Sequence, residues 1–200
     1  RVLFRSEATV NDIEEVAVQI RERVRNEIQT REERKRGMAA IARFFAKVGN
    51  LDEAIATGEE AIALSPRDLN LYRSVGKWFR EKGVKEILAY VNGRRVAFDV
   101  PPTIENNRTL VPFRALAEAL GAVVNWDPET RTVTFSKGNV NIRLVIGSAV
   151  AYINGQEVPL DVPAKIIGKR TMVPLRFLSE NLDAQVDWEQ ESKTVVVNEE

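Results

Sequence analysis

The sequence contains no cysteine and no histidine. Without cysteine there is no disulfide, no thiolate nucleophile and no zinc finger. Without histidine, a copper or iron site lacks its usual imidazole and a serine triad its usual base. Catalysis would have to rest on carboxylates, Lys, Tyr or a Ser–Lys pair. The missing cysteine does not choose between cytosol and exterior. Charge of one sign is also lacking: 29 Lys and Arg balance 29 Asp and Glu, so nothing global favours nucleic acid or an acidic polymer. No apolar run approaches the roughly 18 residues of a membrane span, and no phosphate loop, metal-ligand cluster or nucleic-acid motif appears. The sequence thus calls for no cofactor, no metal and no catalytic residue. Its 200 residues are enough for one or two domains with a real core. The chain opens on Arg1, and a signal or anchor segment is expected upstream of it.

Residues 1–84 read as helices. Asn11 and Glu14 form an expected capping pair, opening an amphipathic stretch with Ile13, Val16, Ala17, Ile20, Val24 and Ile28 on one face. The charge-dense run 21–37 reads as a solvated face laced with i,i+4 pairs. Two helices then meet at Gly49-Asn50, and the second stops near Ser65-Pro66. With Ile41, Ala42, Phe45, Ala54 and Ala61 at matching positions, this stretch resembles a tetratricopeptide repeat, of period about 34 residues. Gly58 stands where that family usually has an aromatic, and Met38 where it often has Trp. A second repeat starts through Tyr72, Val75, Gly76, Phe79 and Gly83, then gives way to strand-like sequence. In such repeats the first helix of each pair lines a concave surface. By register, the resemblance places Arg36, Arg43, Lys47, Asn70, Arg73, Lys77 and Arg80 there. They form an expected basic groove for an acidic or C-terminal peptide, with ordinary solvated side chains as the plainer alternative.

Residues 85–200 say nearly the same thing twice. Residues 88–135 overlie 150–197 without a gap, shifted by about 62 positions. AYVNGRRVAFDVPP answers AYINGQEVPLDVPA, and RTLVPFRALAEALGAVVNWD answers RTMVPLRFLSENLDAQVDWE. Each half-repeat (about 85–139 and 140–200) opens on an Asn-Gly hairpin, whose turn needs positive φ. A short strand, a proline-started helix and a closing strand–turn–strand follow. Gly121 stops the first helix, Asp183 takes that place in the second, and residues 140–146 offer one extra strand. The expected class is α+β: a helical N-terminal part, then a duplicated, mostly antiparallel β domain with one helix wrapped in each half.

The pattern NGxxVxxDVPP…RTLVPFRALAEALGAVVNWD…RTVTF resembles the copper amine oxidase N-terminal-like, or stalk, domain. The resemblance implies a peripheral domain, not the part of the oxidase that holds copper, and a place on the surface or outside of Gram-positive bacteria. Candidate sites must be weighed against the duplication, since a residue the fold needs twice already has a structural explanation. Trp126 and Trp188 have packing as their first reading and sugar stacking as their second. Arg114 and Arg176 precede Glu118 and Glu180 by four residues, as ion pairs would. Asp99 and Asp161 read as acceptors for local backbone donors. Function is expected where the copies differ, at Glu105-Asn106-Asn107 against Ile167-Gly168-Lys169, and at Arg94-Arg95 against Gln156-Glu157. Three functions fit: a non-catalytic surface or secreted scaffold that binds a protein or peptide, a module for a cell-wall polysaccharide, or an accessory domain of an exported enzyme.

Overall fold

The fold is that of a computed structural model, which describes residues 7–200. Among them, four helices are followed by a mostly antiparallel β region with two further helices, an α+β chain as expected. The chain divides into two compact units. One holds the N-terminal helices together with Glu189–Thr194, and the other holds Glu86–Trp188 and Val195–Glu200.

The helical unit contains α1 (Glu7–Glu27), α2 (Arg31–Lys47), α3 (Leu51–Leu64) and α4 (Leu69–Glu81). Its connections obey local chemistry. The Thr30 hydroxyl accepts from Glu33 N at 3.3 Å, Asn50 Oδ1 from Glu53 N at 3.2 Å and Asp68 Oδ1 from Asn70 N at 3.1 Å, capping α2, α3 and α4. The α1 reading needs correction. Asn11 and Glu14 lie inside α1 rather than at its start. Ile13, Val16 and Ile20 are exposed, whereas Ala17 is buried. Val24 packs on Gly37 of α2, and polar groups add to the contact. Arg21 pairs with Glu53, donates to Thr57 Oγ1 at 2.8 Å and lies 5.5 Å over the Phe45 ring, while Arg25 reaches Glu60. The charge run therefore bonds α1 to α3 as well as facing water. Gly58 lets α4 approach α3: a Cβ there would stand 2.6 Å from Val75 Cγ2.

Glu189–Thr194 is fixed within this unit by hydrogen bonds. Arg73 Nε donates to Glu189 Oε1 at 3.0 Å, and Arg80 donates to the Ser192 carbonyl at 2.6 Å. Glu189 is buried, 3% exposed. Burial pushes its carboxyl up, but hydrogen bonds from Ser192 Oγ and N and from Arg73 outweigh burial and hold it below the ordinary 4.5.

The second unit carries the duplication. Its first half supplies β1 (Leu88–Val91), β2 (Arg94–Arg95), β3 (Thr103–Glu105), β4 (Arg108–Pro112), α5 (Phe113–Ala119), β5 (Val123–Asp127) and β6 (Thr132–Lys137). After β7 (Val140–Val145), the second half supplies β8 (Val150–Ile153), β9 (Gln156–Pro159), β10 (Lys165–Ile167), β11 (Arg170–Pro174), α6 (Leu175–Asn181), β12 (Ala184–Glu189) and β13 (Thr194–Glu199). The opening hairpins turn as their sequence demands, with φ of 51° and 78° at Asn92-Gly93 and 49° and 83° at Asn154-Gly155. Asp183 takes φ 53° where Gly121 takes 81°.

The halves are not self-contained, which corrects the expectation that each wraps its own helix. Strands are ordered β12-β13-β1-β2 in one sheet, β5-β6-β7-β8-β9 in a second and β10-β11-β4-β3 in a third. The closing hairpin of the second half thus pairs with the opening hairpin of the first. The reciprocal pairing runs through the extra strand β7. Equivalent bonds mark the relation: Asn92 N donates to Val197 O and Asn154 N to Asn141 O, both at 2.8 Å. At the centre β4 pairs antiparallel with β11, with Val111 opposite Val173, Leu110 opposite Pro174 and Pro112 opposite Met172. Val111 and Val173 are repeat counterparts, so the pairing reads the same from either half. Around it Leu116, Leu178, Phe135 and Val197 are fully buried in one core.

Two outcomes follow. Residues 85–139 expressed alone lack β11 for β4 and β13 for β1, and are expected to show no native near-ultraviolet circular dichroism; a folded spectrum would contradict the exchanged pairing. A carboxyl held below its unfolded pKa contributes stability above that value and loses it as pH falls through the lowered one. Urea unfolding of Glu189→Gln should therefore show a smaller stability loss than wild type as pH falls below 4.5. Parallel pH curves would contradict the role given to Glu189.

Candidate functional site

Two clefts in the duplicated unit are built from equivalent residues. The larger, of about 860 Å³, joins Phe113, Arg114 and Trp126 of the first half to Ile166, Lys169 and Arg170 of the second. The smaller, of about 300 Å³, joins Leu175, Arg176 and Trp188 of the second half to Ile104, Asn107 and Arg108 of the first. Each cleft is thus composite: a helix start and a Trp from one half meet the short hairpin of the other. The geometry follows from β4 and β11 pairing at the centre, which sends each hairpin, β3–β4 or β10–β11, beside the opposite helix.

The rims are tied by ion pairs exchanged between halves. Arg170 Nε donates to Asp99 Oδ2 at 2.8 Å, and Arg108 Nε donates to Asp161 Oδ2 at 2.9 Å. Asp99 also accepts from Val100 N at 2.9 Å, the local contact expected of it. The Arg170 hydrogen bond is the leading cause holding Asp99 below the usual carboxylate range, and Asp99 in turn raises Arg170. Arg114 donates to Glu118 at 3.4 Å, and Arg176 stands 4.0 Å from Glu180, the expected i,i+4 pairs. Sequence reasoning missed the exchanged pairs. Asp99 and Arg108 recur as Asp161 and Arg170, and nothing in the motif says whether partners lie in the same copy or opposite ones.

Trp126 is half-buried, sits opposite Val133, packs on the core and lines the larger cleft. Trp188 is 41% exposed and lines the smaller. The two turns where the copies differ meet the clefts at Asn107 and Lys169. Asn106 and Asn107 both have positive φ, whereas Gly168 alone does in the other turn, the distinction between type I′ and type II′ hairpins.

The basic positions of the helical unit divide into two groups. Arg43, Lys47 and Lys77 are exposed, as is Arg36, whose Nε donates to Glu32 at 3.2 Å. Ala39, Ala42 and Arg43 of α2 and Leu71, Ser74 and Val75 of α4 line one small hollow, so the two helices are neighbours. Asn70 accepts from Arg73 at 3.3 Å. Arg73 and Arg80 hold Glu189 and Ser192, and thus serve the unit's own packing.

The donor set does not fit copper. Histidine is absent, and among the described residues no group of three or more acidic side chains is placed to hold a metal ion. Also among the described residues, no helix is long and apolar enough to cross a membrane. In comparisons with known proteins, the chain is 29% identical over 116 residues to a protein named "Protease inhibitor" from Brevibacillus choshinensis. That match covers 58% of this chain and 36% of the relative, so the chain spans well under half the length of the protein it matches. The copper amine oxidase N-terminal domain family matches residues 90–197. More than half of the chain lies in that match, and the chain belongs to the copper amine oxidase N-terminal domain family.

Proposed function

We propose that this chain is a non-catalytic accessory module of an exported or surface-held protein, and that its helical unit binds a protein or peptide partner of acidic character. The observation that carries the reading is the exposed row Arg43, Lys47 and Lys77 on neighbouring helices. The fate of the duplicated charges supports it. Asp99, Arg170, Asp161 and Arg108 join the halves in fixed pairs, so the duplicated acids are committed to arginines. The relative named a protease inhibitor supports a protein as partner, and the peripheral position of the family's domain supports an accessory role.

Binding of an acidic peptide such as hexaglutamate should weaken steeply with salt, since exposed charges are screened. Arg43→Glu with Lys77→Glu is expected to abolish it in a protein of unchanged circular dichroism. Binding that survives both the charge reversal and high salt would remove the basic face from consideration.

A second reading has its own observation: both Trp side chains line clefts of equivalent construction. It assigns the duplicated unit to a cell-wall polysaccharide. Cosedimentation with purified peptidoglycan, lost in folded Trp126→Ala or Trp188→Ala protein, is the expected result; retention by both variants would dismiss it.

A further inference from the structure

We propose that the larger cleft is a subsite for an acidic saccharide, while the smaller cleft accepts neutral sugar of the same polymer. The inference rests on the second reading above and names its ligand chemistry. Residual charge decides it. Each arginine of either cleft has a carboxylate partner: Arg170 has Asp99, Arg114 has Glu118, Arg108 has Asp161 and Arg176 has Glu180. What is left over in the larger cleft is Lys169. Lys169 is exposed and has no ion-pair partner among the described residues, and its counterpart is the neutral Asn107. The turn of the larger cleft therefore brings a cation, Lys169, where the equivalent turn of its twin brings the neutral Asn107.

The remaining wall suits a sugar. The Trp126 ring offers an apolar surface to the C–H face of a pyranose. Beside it Asp99 and Arg170 hold each other still, so an acceptor and a set of donors stand preset for neighbouring hydroxyls. An acidic peptide would also meet Lys169, but it lacks the flat C–H face that a pyranose lays on the Trp126 ring. Hydroxyls donate to Asp99 and accept from Arg170 at once. Because the clefts are twins, one chain would hold two stretches of the polymer.

The test titrates the full chain with tetragalacturonate, chitotetraose and hexaglutamate, reading tryptophan fluorescence and binding heat. Tetragalacturonate is expected to bind about tenfold more tightly than chitotetraose, the scale of one hydrogen bond to a charged group. Lys169→Asn copies the turn residue of the other half and should bring tetragalacturonate affinity down to that of chitotetraose. Trp126→Ala should lose tetragalacturonate, but it touches the core, so Lys169→Asn is the decisive variant. Three results overturn the proposal: a preference that persists in Lys169→Asn, hexaglutamate at the cleft as tight as tetragalacturonate, or no oligosaccharide binding at all. Trp-dependent cosedimentation with peptidoglycan separates the levels. If it survives while the acid preference fails, only this inference falls; if it too is absent, the second reading falls with it.

Discussion

At the centre of the duplicated unit, a strand meets its own repeat counterpart. Val111 lies opposite Val173 in the antiparallel ladder of β4 and β11, and both are fully buried. Side chains alternate across a strand, so a slip of one residue here would take Val111 and Val173 out of the main core and put them on the side of Leu110 and Met172. This single register aims each short hairpin at the helix of the opposite half. The exchanged pairs Asp99–Arg170 and Asp161–Arg108, the shared core and the two composite clefts all follow from it.

Exchange also explains how duplication can serve function without enforcing sameness. The core positions of the two halves face each other, so each constrains its counterpart. The hairpin tips do not. Asn107 and Lys169 occupy equivalent places at the mouths of twin clefts, on turns of different type. The cavity next to Lys169 is the larger and holds Phe113 where the other holds Leu175. The difference between the halves is thus concentrated in exposed groups that a ligand would meet.

In the helical unit, the same chemistry takes structural roles first. Arg21 and Arg25 tie α1 to α3 by reaching Glu53 and Glu60, while Ala17 and Val24 face inward and Ile13, Val16 and Ile20 stay outside. Arg73 and Arg80 neutralise or bond Glu189 and Ser192. The basic positions that remain open, Arg43, Lys47 and Lys77, are exposed and have no ion-pair partner among the described residues.

Much of the fold was legible from local chemistry. The Asn-Gly turns, the stop at Gly121 and Asp183, the helix joint at Gly49-Asn50, the stop near Ser65-Pro66 and the α+β order depend on residues close in sequence, and local backbone energetics fix them wherever the chain ends up. The pairings were not legible. A perfect repeat offers every strand and every charged group two equivalent partners, one in its own half and one in the other, and no local signal separates them. Only the long-range closure of the core chose the exchanged arrangement. In doing so it turned Trp126, Lys169 and Arg170, far apart in sequence, into the walls of one cleft.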